Sequence, residues 1–306
     1  MLSMGLDIGG TKTEAVILDD CGKVLTTKRI ATVKGDYSAF LTSLVNFIQE
    51  MRNLVPEPVS IGICLPGTED AATGLIKNSN IVVINQHPLM HDLERLLEQP
   101  VAWDNDANCF TLSEATDGAG AQARSVFGAI LGTGCGGGLC MDKTLWRGHN
   151  GNAGEWGHNP LPLYNERDDG PPVKCYCGRF NCTESFISGT GLARQFGLIQ
   201  GSSLDAKGVF ALIEQENTAA VALYRTFLDQ LARSLASVIN ICDPNIIVVG
   251  GGVSRYPAIF SHLTESVSRY VFNTSCSTPI VPAMHGDSSG VRGAAWLGRD
   301  VAHRLG

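Results

Sequence analysis

Met4-Gly5-Leu6-Asp7-Ile8-Gly9-Gly10-Thr11-Lys12-Thr13-Glu14-Ala15-Val16-Ile17-Leu18 opens the chain. Apolar residues on either side of Gly9-Gly10-Thr11 give the pattern of a strand, a glycine turn and a second strand. Asp19-Asp20-Cys21-Gly22 reads as another turn and Lys23 to Arg29 as a third strand, so the chain begins as an antiparallel meander. The turn is not a Walker A loop, which needs Gly-x-x-x-x-Gly-Lys-Ser/Thr, and it leads into a strand rather than the helix of a dinucleotide fingerprint. What remains is a hairpin whose glycines let backbone approach a phosphate closely, with Thr11 and Lys12 able to contact it. Asp7, ending the first strand, is placed to hold magnesium directly or through water.

The theme returns at Ser125 to Arg147. An apolar strand (Val126 to Leu131) meets Gly132-Thr133-Gly134-Cys135-Gly136-Gly137-Gly138, a strand follows over Leu139 to Met141, and Asp142-Lys143 turns the chain toward Leu145-Trp146. The shared order of strand, Gly-Thr turn, strand, acidic turn, strand reads as an internal duplication. Two such hairpins facing each other across a cleft would clamp a polyphosphate from both sides.

Helical spacing of apolar residues appears over Asp36 to Leu54, Leu89 to Gln99, Asn108 to Gly118, Phe186 to Phe196 and Thr218 to Asn240, with a last helix over Gly290 to Ala302. Short apolar runs at Val59 to Cys64, Val101 to Trp103 and Ile246 to Val249 read as strands, the last ending in Gly250-Gly251-Gly252. Asp104-Asn105-Asp106-Ala107-Asn108 falls between a strand and a helix, where side chains can project toward a ligand. An acceptor hydroxyl needs a carboxylate to take its proton, and Asp104 and Asp106 both qualify; N-capping competes for one of them.

Gly148 to Glu184 is rich in Gly, Pro, Asn and Cys and has little periodicity, too long for an ordinary connection. His158, Cys175, Cys177 and Cys182 lie within it. Three cysteines in eight positions, with a histidine nearby, form a Cys3His set suited to tetrahedral zinc, and four protein ligands leave no open position for catalysis. The metal would therefore be a structural clip replacing the apolar core this segment lacks. His158 can alternatively point at substrate. Glu155 and Glu184, at the two ends of the segment, offer acceptors of the kind that grip a polyol.

The chain has 306 residues, 44% hydrophobic and 17% charged, which predicts a folded protein large enough to divide into two lobes with a cleft. Its formal net charge of -7 gives no long-range attraction to a phosphate backbone, so a nucleic-acid partner is not expected. The start lacks a signal-peptide pattern and no apolar run approaches a membrane span, so a cytoplasmic protein without a membrane partner is expected. The seven cysteines outside the segment sit in apolar or glycine-rich surroundings and read as free thiols.

Taken in order, Asp-x-Gly-Gly-Thr-Lys, Leu65-Pro66-Gly67, Asp-Asn-Asp-Ala-Asn, Gly-Thr-Gly-x-Gly-Gly-Gly, Gly-Glu-x-Gly-His, Cys-x-Cys-Gly-x-x-x-Cys-x-Glu and Gly-Gly-Gly resemble the ROK family of bacterial sugar kinases and repressors over essentially the whole chain. Within that family the stretches Gly157 to Pro162, Phe186 to Gly191 and His285 to Gly290 look most like bacterial fructokinase (mannofructokinase). The resemblance implies an α/β fold of the actin-like ATPase, ribonuclease-H-like type, with two lobes around a central cleft. The small lobe would be 1–117, completed by a C-terminal helix 290–306, and the large lobe 118–289, with the zinc-binding segment 148–184.

It further implies Asp106 as the base, with Asn105, Glu155, His158 and Glu184 on the sugar. Gly67 is a further substrate-binding candidate, as is Asn80, which with Asn78 belongs to the pocket wall expected from Lys77 to Pro88. Gly10, Thr11, Lys12, Gly132, Thr133, Gly134, Gly251 and Gly252 would line the nucleotide site, with Asp7 near magnesium. His158 would also be a zinc ligand with Cys175, Cys177 and Cys182. The implied reaction is transfer of the γ-phosphoryl of magnesium-bound ATP to the 6-hydroxyl of D-fructose by a homodimeric enzyme. An N-acetyl-D-glucosamine kinase is the alternative, and a non-catalytic sugar-sensing protein a third. The family's repressors carry an extra N-terminal DNA-binding domain, for which a first strand at residue 4 leaves no room.

Overall fold

The computed structural model describes residues 1–70, 72–201, 203–273 and 275–305. Contacts divide the chain into two compact units, Met1–Asp117 with Asp287–Gly306, and Gly118–Gly286. Residue 306, the end of the expected last helix, lies outside the described residues.

The first unit carries β1 (Leu2–Ile8), β2 (Lys12–Leu18), β3 (Val24–Ala31), α1 (Tyr37–Arg52), β4 (Val59–Cys64), the short pair β5 (Thr68–Glu69) and β6 (Ile76–Lys77), α2 (Leu89–Leu97), β7 (Val101–Asp104) and α3 (Asp106–Thr116). Its main sheet runs β3-β2-β1-β4-β7. The first three strands are antiparallel; β4 then pairs parallel with β1, and β7 parallel with β4. Alternation of buried residues sends Met4, Leu6, Ile8, Ile61 and Ile63 into one core with Phe40, Leu44, Phe47 and Ile48 of α1. That helix starts where the Asp36 carboxylate accepts the Ala39 amide at 2.9 Å.

The second unit carries β8 (Ser125–Leu131), β9 (Cys135–Met141), β10 (Thr144–Leu145), α4 (Glu166–Asp169), α5 (Glu184–Ile187), α6 (Gly189–Gln200), α7 (Ala206–Glu214), α8 (Thr218–Cys242), β11 (Ile246–Gly250), α9 (Ala258–Ser268) and β12 (Ile280–Pro282). Its sheet runs β10-β9-β8-β11-β12, with β8 antiparallel to β9 and parallel to β11. Numbered within each five-stranded sheet, both have the order third, second, first, fourth, fifth strand. The second core gathers Phe127, Phe186, Leu192, Phe227, Leu231 and Ile247.

The last helix, α10 (Ser289–Leu305), returns to the first unit. It lies directly on β1, β4 and α3 because the contact surfaces are glycine. A Cβ on Gly5 would overlap the Val291 carbonyl, one on Gly62 the Ala294 carbonyl, and one on Gly293 the Cys109 carbonyl. Such backbone-to-backbone approach is closed to every other residue. It brings the start of α10 to the end of β1, where a Cβ on Gly290 would sit 3.4 Å from Asp7 Oδ2.

The expected helix over Phe186 to Phe196 is two helices. Ser188 ends α5 and caps α6, its hydroxyl accepting the Gly191 amide at 2.9 Å. Among the described residues no helix is long and apolar enough to cross a membrane.

Candidate active site

In the first unit, parallel pairing places three strand ends in register. Asp7 pairs with Cys64, and Cys64 with Asp104. The two aspartates of the Asp-Asn-Asp run then part company. Asp104 is buried, and its Oδ1 accepts from the Asn105 amide at 2.9 Å and from Asn108 Nδ2 at 2.7 Å, which makes it an internal brace. Neither aspartate caps α3. That task falls to Asn105, whose Oδ1 accepts the Asn108 amide at 2.8 Å.

Asp106 is the first helical residue, and its carboxylate accepts the Ala107 amide at 3.0 Å. The residue is exposed, yet desolvation by the surrounding protein pushes its pKa above the ordinary 3.8, against the pull of the Ala107 amide and its own. Half-buried Asp7 is shifted the same way, first by desolvation and then by the charges of Asp106 and Glu14, while the Cys64 thiol and Lys12 pull it back. The charge of Asp106 thus disfavours ionisation of Asp7 at the end of the neighbouring strand.

The β1–β2 hairpin is closed by Gly9 N–H to Lys12 O at 2.9 Å and braced by the Thr32 hydroxyl, which donates to Gly9 O at 2.7 Å. Thr11 and Lys12 are exposed at its tip. Beside it the 78–80 loop is clamped by Asn85, which accepts the Ser79 amide at 3.0 Å and donates to Ser79 O at 2.8 Å. This presents Asn80 over Gly10, where a Cβ would lie 3.9 Å from Asn80 Oδ1. Gly67 has φ +121°, and a Cβ there would meet Lys77 O at 2.9 Å. Asp7, Gly10, Asn80, Asn105 and Asp106 are thus gathered in one unit.

In the second unit the β8–β9 turn holds Gly132, Thr133 and Gly134, closed by Gly132 N–H to Gly134 O at 3.0 Å. Gly251, at φ +84°, is packed on it, since a Cβ there would come within 2.5 Å of Leu131 O and 2.9 Å of Gly132 N. Gly252 follows with open space around it.

The loop bearing Glu155 and His158 lies flat on β9, where side chains on Gly154 or Gly157 would overlap the carbonyls of Gly137 and Cys135. Trp156 pins it by donating to Gly136 O at 2.9 Å. Glu155 is left exposed. Glu184 accepts the Cys135 amide through Oε2 at 2.9 Å.

His158, Cys175, Cys177 and Cys182 converge, their donor atoms all within 4.8 Å of one another. Cys175 Sγ is 3.7 Å from His158 Nδ1, and Cys177 Sγ is 3.5 Å from Cys182 Sγ. A tetrahedron with zinc bonds of about 2.0–2.3 Å has edges of about 3.5–3.8 Å. A disulfide would need about 2.05 Å. The donor set therefore fits a closed zinc site. Burial pushes the Cys175 and Cys182 thiols up, Cys182 to about 12, while the Arg179 amide draws Cys177 down. A divalent cation among them would make all three thiolates.

The backbone around the cluster is a small knuckle with Gly178 at φ +90°, closed by Cys175 N–H to Arg179 O at 2.8 Å. The segment is anchored at a second point by Asp169, whose buried carboxylate pairs with Arg233 of α8 and accepts from Gln230 at 3.2 Å.

Sequence reasoning missed Tyr176, Cys64 and Gly290. Tyr176 OH lies 3.0 Å from His158 Nε2, the ring nitrogen turned away from the cluster. Its position between two ligands was the available signal. For Cys64 the signal was the end of a strand parallel to the one that ends in Asp7; Gly290 had none.

A family model described as "ROK family" matches residues 3–301. The chain is 39% identical to the N-acetylgalactosamine kinase AgaK of Shewanella sp. (strain ANA-3), over 97% of this chain and 96% of that protein. It is 36% identical to the N-acetyl-D-glucosamine kinase of Haemophilus influenzae (strain 86-028NP), over 96% of this chain and 98% of that one. Among solved structures it is similar to the ROK hexokinase of Thermus thermophilus, with a TM-score of 0.87 at 28% identity and full coverage of both chains.

These relatives overturn the expectation of a fructokinase. The stretches that suggested it hold the fold together. Asn159 O accepts the Thr183 amide at 2.8 Å, Leu161 is buried with its amide on Asn181 O at 2.7 Å, Ser188 caps α6, and the Ser289 hydroxyl donates to Glu114 at 2.9 Å. Residues engaged in this way carry no information about whether a sugar bears a hydroxyl or an acetamido group. Both sheets, the paired glycine turns, the Cys3His cluster and a match over 3–301 lead to one assignment: the chain belongs to the ROK family and has its two-lobed α/β, ribonuclease-H-like fold.

Proposed function

We propose that the chain is an ATP-dependent sugar kinase whose acceptor is an N-acetylhexosamine, with N-acetyl-D-glucosamine the first candidate. The observation that carries the sugar class is identity of 36–39% to N-acetylhexosamine kinases over nearly the full chain. The chemistry rests on Asp106, an accessible carboxylate at a strand–helix junction with its pKa raised.

In this reading Asp106 accepts the proton of the sugar's primary hydroxyl as its oxygen bonds to the γ-phosphorus. The bond from that phosphorus to the β-phosphate bridging oxygen breaks, and ADP leaves. Phosphoryl transfer asks the protein mainly for positioning and charge stabilisation. Thr11, Lys12 and the glycines at 10, 132, 134, 251 and 252 bring backbone and side-chain donors to the phosphates. Magnesium, arriving with ATP, supplies charge neutralisation there, and Asp7 is the carboxylate to hold it.

Asn105, Glu155, His158 and Glu184 bind the sugar's hydroxyls, with Gly67 and Asn80 beside them. Zinc on His158, Cys175, Cys177 and Cys182 keeps the imidazole and Glu155 in place and takes no part in the chemistry. The test is incubation with ATP, magnesium and N-acetyl-D-glucosamine, followed by phosphorus NMR and mass spectrometry of the product. A sugar 6-phosphate with equimolar ADP is expected, and ADP release with unmodified sugar would contradict the reading.

A further inference from the structure

Glu184 sits two residues past a cysteine of the metal cluster, yet its carboxylate is turned toward the β8–β9 turn. Oε2 accepts the Cys135 amide at 2.9 Å, and a Cβ on Gly134 would lie 2.6 Å from that same oxygen. Glycine at 134 is what lets the carboxylate lie against the turn. The first residue of α6 completes the hold, Gly189 N–H donating to Gly132 O at 2.7 Å. One end of the turn is thus held by Gly189 and the other by Glu184, with Thr133 exposed between them.

A carboxylate beside a phosphate-binding loop is electrostatically unfavourable by itself, since like charges at short range repel. Its presence there is explained by the strength of an ionised acceptor for an amide. We infer that Glu184 is a positioning residue for the nucleotide: it fixes Gly132-Thr133-Gly134 in the form that receives phosphate, so a residue of the sugar side sets ATP affinity even when no sugar is bound. The inference rests on the reading of this turn as part of the nucleotide site.

Binding of magnesium and a non-hydrolysable ATP analogue, measured calorimetrically with sugar absent, separates the two. Glu184→Ala, folded by circular dichroism, should bind the analogue about tenfold more weakly, the loss expected for one charge-assisted hydrogen bond. Glu184→Gln keeps an acceptor for the Cys135 amide and removes the repulsion, so it should bind at least as tightly as wild type. Gly134→Ala, which displaces the carboxylate, should weaken binding as Glu184→Ala does.

Wild-type affinity in both Glu184→Ala and Gly134→Ala would overturn the inference, as would equal weakening by the alanine and glutamine variants. Thr133→Val tests the underlying reading. Failure of wild type to bind the analogue, or unaltered binding by Thr133→Val, would remove the turn from the nucleotide site and the inference with it.

Discussion

Asn105 caps α3 through its bond to the Asn108 amide at 2.8 Å, and this makes Asp106 the first residue of the helix with its carboxylate left open. A cap is worth about 1 kcal/mol. Asn105→Ala should therefore lower stability by about that amount and also reduce turnover by loosening Asp106. Asn105→Ser, which can cap, should recover the melting temperature. If both variants melt together, the cap has no energetic role.

Asp106→Asn should retain nucleotide and sugar binding and lose turnover by roughly 100-fold or more. The wild-type profile carries a second signature. A base works only when ionised, so kcat/KM must rise with pH through the pKa of the free enzyme, and crowding places Asp106 above 3.8. An acidic limb centred above that value is expected. A limb at or below it, or wild-type turnover in Asp106→Asn, would remove Asp106 from the role.

The metal cluster predicts about one zinc per chain by elemental analysis of freshly purified protein. Cys177→Ser or a strong chelator should lower melting temperature and activity together, because the cluster joins the knuckle to His158 and its last cysteine lies two residues before Glu184. Active protein with a metal content near zero would end the zinc assignment.

The Asp169–Arg233 pair anchors the irregular segment to α8 from the inside, its side chains 0% and 6% exposed. Asp229 Oδ2 also lies 3.0 Å from Arg233 Nε. Removing one partner strands the other, so Asp169→Ala should cost about 3–5 kcal/mol in urea unfolding. Asp169→Leu combined with Arg233→Met should recover much of it. A single variant as stable as wild type would show that Asp229 alone satisfies Arg233.

Much of this was legible in the sequence where local pattern and tertiary role coincide. The two Gly-Thr turns and their flanking strands, the Cys-x-Cys spacing and the Asp-Asn-Asp junction each declare themselves within a dozen residues. Three kinds of feature did not. Helices α7 and α9 do not stand out by spacing, and β12 is three residues long and pairs in parallel, with too little alternation to register. The cap on α3 was sought among aspartates because they are common caps, whereas Asp104 is drawn away by Asn108. The Glu184–Cys135 bond joins residues 49 apart, which no local pattern encodes. Sugar identity failed for a different reason. It depends on pocket contacts worth only about 1–3 kcal/mol, while Asn159, Leu161, Ser188 and Ser289 of the quoted stretches hold the fold together.

The central claim is the acceptor, and a steady-state comparison tests it most directly. kcat/KM should be measured for N-acetyl-D-glucosamine, N-acetyl-D-galactosamine, D-fructose, D-mannose and D-glucose at saturating magnesium-ATP. An N-acetylhexosamine should exceed every plain hexose by about tenfold or more, the discrimination that one satisfied amide and one housed methyl can supply. A higher value for D-fructose, D-mannose or D-glucose than for both N-acetylhexosamines would contradict the account.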